Sequence, residues 1–98
     1  MMNHIYVNQT ALEIILKTAT SLREADSVEI RYSKPDRCCG SFNAEISDRE
    51  QGTICHFVSK PEELDMPGWW NLWSYVRFSD GRCAPGRAVR IYVYPEGE

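Results

Sequence analysis

The chain has 98 residues, 43% of them hydrophobic and 26% charged, with a formal net charge of −3. That length holds one core and one domain, residues 1–98. The acidic balance gives no general attraction to nucleic acid or anionic membranes, and no apolar run approaches the roughly 20 residues that span a bilayer. The N-terminal MMNHIYVNQT lacks a basic region followed by an apolar run, so the expectation is a cytoplasmic protein with free thiols. Charge is uneven along the chain. Residues 1–65 carry seven basic and eleven acidic side chains, whereas residues 66–98 carry four Arg against Asp80, Glu96 and Glu98.

Taken in order, His4 to Val7 forms a short first strand. Thr10 and Glu13 then fit the T-x-x-E capping box. Leu12, Ile15, Leu16, Ala19 and Leu22 recur at helical spacing, which predicts a helix over residues 10–24. Ser27 to Ser33 alternates, with Val28, Ile30 and Tyr32 on one side and Glu29 and Arg31 on the other. Pro35 ends that strand, and residues 34–40 form a loop. Ser41 to Ser47 alternates again through Phe42, Ala44 and Ile46. Residues 48–52 (DREQG) are a polar turn leading into Thr53 to Ser59, which makes a hairpin.

Pro61 with Glu62 and Glu63 suits one short helical turn, and Pro67-Gly68 marks a break. Trp73 to Phe78 and Ala88 to Tyr94 are the last strands, with Asp80-Gly81 as a turn signal. The predicted fold is α+β: one N-terminal helix packed on a single, mainly antiparallel sheet of about five strands. Its core draws on Val28, Ile30, Phe42, Ile46, Ile54, Val76, Phe78, Val89, Ile91 and Val93.

The stretch from Pro67 to Tyr94 holds all three Trp and four of the eight Arg. If Val76, Phe78, Val89, Ile91 and Val93 face the core, the period of two turns Trp73, Tyr75, Arg77, Arg90, Tyr92 and Tyr94 to the opposite side. Trp, Tyr and Arg dominate binding hot spots, so these six residues are the candidate binding site. The competing reading is structural packing, with Arg stacked on Tyr across strands or the face covered by residues 60–72.

Catalytic and metal motifs are weak. Cys38, Cys39, Cys55, His56 and Cys83 are zinc-ligand types, but no C-x2-C pair is present. Cys55 and His56 are neighbours on a predicted strand and point to opposite faces. No P-loop, dinucleotide-binding or nucleophile-elbow motif occurs. The expectation is therefore a non-enzymatic protein-binding module without a cofactor, with the profile of inhibitor or immunity-type accessory proteins of phages and mobile elements. The alternatives are a single-stranded nucleic-acid platform on the same face, and a Cys/His metal or thiol enzyme. An exposed sheet edge or the aromatic face would also suit a homodimer.

Overall fold

The computed structural model describes residues 4–18 and 20–97. Among the described residues nine strands follow one another: β1 Ile5–Tyr6, β2 Leu12–Lys17, β3 Ala25–Ser33, β4 Cys39–Asn43, β5 Glu45–Asp48, β6 Thr53–Val58, β7 Gly68–Phe78, β8 Cys83–Pro85 and β9 Val89–Tyr94. A single 3-10 turn, Pro61–Leu64, precedes β7 and begins at the proline, as the sequence suggests. The larger sheet runs β1-β9-β7-β3-β4, with β8 also pairing β7; the smaller runs β2-β6-β5. All pairs are antiparallel except β1 with β9. The two sheets pack face to face as a β-sandwich.

The predicted α+β fold is thus corrected to an all-β one, and residues 10–24 are not a helix. Their apolar positions fit two periods at once. The helical stripe takes Ile15 inward, but the chain buries Ile14 (7% exposed) and leaves Ile15 56% exposed. Leu12, Ile14 and Leu16 alternate with Glu13, Ile15 and Lys17, and the whole strand pairs with β6 from Leu12↔Val58 to Lys17↔Thr53. That long-range pairing decides the matter, because β-branched Ile14 and Ile15 suit a pleated surface as well as a helix. The capping box does not form. Ala11, inside it, sits at φ 58°, and Glu13 lies exposed on β2. Ala19 falls outside the described residues.

The single sheet of about five strands is likewise corrected to two sheets. The alternating run Ser41 to Ser47 is divided at Ala44: β4 pairs with β3 in the larger sheet, and β5 pairs with β6 in the smaller. The chain therefore turns a corner of the sandwich there, and β5–β6 is the hairpin expected from the DREQG turn.

The core comprises Ile14, Leu22, Ile30, Phe42, Ile54, Val58, Leu64, Trp70, Leu72, Val76 and Val93. Trp70 is fully enclosed, and its indole N–H donates to the Met66 carbonyl at 2.9 Å, so its one polar group is satisfied. Of the expected core residues, Val89, the first residue of β9, is 43% exposed. Among the described residues, no helix is long and apolar enough to cross a membrane.

Candidate functional site: the outer face of the larger sheet

β7 is the axis of this face. It is 11 residues long, and Trp70, Leu72, Ser74 and Val76 are buried, which turns Trp69, Asn71, Trp73, Tyr75 and Arg77 outward. One edge of β7 pairs with β3, placing Arg31 opposite Trp73 and Glu29 opposite Tyr75. The other edge is shared. β9 takes the first part, with Tyr92 opposite Trp69 and Arg90 opposite Asn71. β8 takes the second, with Cys83 opposite Arg77.

All six residues expected on this face stand on it, five of them in two groups. The first is a row: the Arg90 guanidinium lies 4.4 Å from the Trp69 ring centroid, Trp69 meets Tyr92 edge-on at 5.1 Å, and Tyr92 meets Tyr94 edge-on at 4.7 Å. His4 extends the row, 4.1 Å from Tyr94. The second group centres on Tyr75, with Arg31 at 3.5 Å from its ring centroid and Arg77 at 5.7 Å. Tyr75's hydroxyl is pushed above its ordinary pKa, chiefly by the neighbouring Cys83 thiol. Trp73 stands between the groups, over a shallow depression of about 350 Å³ that Arg31, Gly40 and Ser41 also line.

Residues 60–72 do not form a lid over the face. Their Trp69 and Asn71 belong to it, because β7 already begins at Gly68, within the Pro67-Gly68 break. Trp69, Arg31 and His4 are the site residues that sequence reasoning missed. Continuing the alternation of β7 backward from Trp73 reaches Asn71 and Trp69 and would have found the first. Arg31 was legible as outward on β3, but its neighbour Tyr75 lies 44 positions away in sequence, a pairing no local pattern shows.

Electrostatically the face is split. Glu29 holds Arg31 at 2.7 Å and Asp80 holds Arg82 at 2.6 Å. Arg77 and Arg90 have no ion-pair partner among the described residues, and both are exposed.

The larger sheet packed on the smaller one has a solved counterpart. The fold resembles that of CopC from Methylosinus trichosporium OB3b, with a TM-score of 0.58 and 12% identity over 97% of this chain and 87% of that one. At that identity the likeness shows the fold alone. No protein-family model matches the sequence, and no curated protein matches it.

The cysteine and histidine candidates stay apart. Cys83 lies on the outer face of the larger sheet and Cys55 on the smaller sheet, while Cys38 and Cys39 are exposed near the 34–40 loop. Among the described residues, no three His, Cys, Asp or Glu side chains converge as metal ligands would. The Asp36 side chain pushes the Cys38 thiol up, and burial pushes the Cys55 thiol up, the opposite of what a reactive thiolate needs.

His56, on β6, instead joins a clamp at the sandwich rim. Its ring stacks on Phe42 at 4.7 Å and 2°, its Nδ1 lies 2.7 Å from the Asn43 carbonyl, and its Nε2 lies 2.6 Å from Glu63. Burial pushes the Glu63 carboxyl up, but the N–H groups of Lys60 and Ser59 and the His56 ring pull it further the other way, leaving it below the usual carboxylate range.

Proposed function

We propose that this protein is a non-enzymatic protein-binding module whose contact surface is the outer face of the larger sheet. The observation that carries this reading is the Arg90–Trp69–Tyr92–Tyr94 row. It places a half-exposed Trp, 51% accessible, among Tyr and Arg on a rigid ladder, the residue types that act as interface anchors. The partner's matching surface is acidic with apolar side chains between its carboxylates, because Arg77 and Arg90 bring cations without ion-pair partners among the described residues. An inhibitor or immunity-type protein, whose task is to cover a target's surface, needs nothing more.

The arrangement of the rings favours protein over single-stranded nucleic acid. Base stacking needs open ring faces, whereas Arg31 covers one face of Tyr75, Arg90 covers one face of Trp69, and Tyr92 meets both Trp69 and Tyr94 edge-on.

Replacing Tyr75, Arg77 and Tyr92 together by Ala tests the reading. Capture of a defined partner from nuclease-treated lysate should disappear, with the melting temperature shifted by only a few degrees. Unimpaired capture by the triple variant would falsify it. Oligonucleotide binding that weakens steeply with salt would assign the face to nucleic acid instead.

A further inference from the structure

The smaller sheet is narrower than the larger one. β5 and β6 lie against β3, and β2 lies against β7, so the free edge of β2 is directed toward β9. The core-facing side of β9 is incompletely covered there. Val89 opposes the buried Leu72 across the ladder yet stays 43% exposed.

β2 pairs with β6 alone among the described residues. The Thr18 N–H donates to the Gly52 carbonyl at 2.6 Å, in register with the ladder. The alternation of an antiparallel ladder then turns the N–H and C=O groups of Glu13, Ile15 and Lys17 away from β6, toward the open edge. These same three residues point their side chains to the outer surface of the smaller sheet, where Ile15 is 56% exposed.

We propose that this edge pairs with β2 of a second copy of the chain, antiparallel about a two-fold axis at Ile15. In that register Ile15 opposes Ile15, Glu13 opposes Lys17 of the second copy, and Lys17 opposes its Glu13. Every open backbone group of the three residues finds a partner. On the core-facing side the same register sets Ile14 against Leu16 and brings a strand over Val89 and Ile91. A shift by two residues either way sets a charged side chain against Ile15. Edges that are only guarded against association carry bulges, prolines or charges that repel a copy. Opposite charges placed symmetrically about an apolar centre attract one instead. Along the central row the apolar surface is continuous, because Cys55 neighbours Ile15 on β6. This inference does not depend on the function proposed for the opposite sheet.

Sedimentation equilibrium of the full chain reads the outcome. The wild type should reach twice 11.3 kDa with rising concentration. Glu13→Lys and Lys17→Glu should each weaken dimerisation about tenfold or more by setting like charges opposite. The double variant carrying both should recover to within a few-fold of the wild type. Glu13 and Lys17 are exposed, so circular dichroism should show all three variants folded. A wild type that stays monomeric at about 1 mM, single variants that dimerise normally, or a double variant that is not rescued each overturns the proposal. So does a dimer that is lost only when Trp69 and Tyr92 are replaced, which would place the contact on the larger sheet.

Discussion

The Arg31 guanidinium lies 3.5 Å from the centroid of the Tyr75 ring, joining β3 to β7 across the outer face. Glu29 fixes Arg31 from its own strand at 2.7 Å. Hydrogen bonding to Glu29 also raises Arg31's already high pKa, so the cation is permanent. Arg31→Ala removes a partly exposed contact and should change stability by under about 1 kcal/mol. On the protein-binding reading it should weaken partner capture about tenfold, since it takes a positioned cation from the face. An open Tyr75 ring that instead improved oligonucleotide binding would favour the nucleic-acid reading.

Trp69 and Trp70 are neighbours in sequence and opposites in environment, at 51% and 0% exposure. Trp70→Ala should cost about 3–5 kcal/mol, visible as a large fall in the urea midpoint, and it leaves the Met66 carbonyl without its indole donor. Trp69→Ala should leave that midpoint within about 1 kcal/mol and abolish partner capture. Equal losses of stability from the two substitutions would show that Trp69 serves packing rather than contact.

The Glu63 carboxylate holds the 59–63 segment through the Ser59 and Lys60 N–H groups and His56. Its folded pKa lies below the unfolded value of about 4.3, so it favours the folded state above that pH, and the contribution is lost as pH falls through the lower, folded value. Glu63→Gln should destabilise the protein by about 1–3 kcal/mol at pH 7. Urea unfolding at pH 7 and at about pH 3 should show the gap between wild type and variant narrowing in acid. A gap that widens in acid would contradict the assignment.

Gly52 sits at φ 71°, and a Cβ there would come within 2.6 Å of the Thr20 carbonyl and 2.7 Å of the Thr18 hydroxyl. The left-handed backbone alone costs a non-glycine residue about 1–2 kcal/mol, and the backbone contact cannot rotate away. Gly52→Ala should therefore lower stability by more than that, measured by thermal melting. Gly81, at φ 92° with open space around it, should show only the backbone cost when changed to Ala.

Thr53 to Ser59 carries apolar residues on both faces, so the turn before it rather than its pattern marked β6; alternation made β3 and β9 legible, because period two separates the core-facing side from the other. It also oriented Trp73, Tyr75, Arg77, Arg90, Tyr92 and Tyr94 correctly. β2 was not legible. Its Leu12 and Leu16 serve both a helical stripe and a strand face, and only pairing with β6, some 40 residues away, distinguishes them. The corner at Ala44 is invisible for a related reason. Alternation continues from Phe42 through Ile46 although the chain changes sheets, since both segments face one core. The outer face was half legible: orientation follows from period two, but neighbours such as Arg31 and Tyr75 follow from register, which is non-local.

β7 ladders with β3 on one edge and with β8 and β9 on the other, and this has a consequence for biosynthesis. The hairpins β3–β4 and β5–β6 can close as soon as they leave the ribosome, because their strands are adjacent in sequence. The strand that joins β3 to β9 is not finished until residue 78. Until then the apolar sides of both hairpins lack their main cover. Collapse should therefore come late and in one cooperative step, with an appreciable contact-order penalty on its rate. Trp70 would report that step by its fluorescence, and the newborn chain would need shielding from its own unpaired edges in the interval.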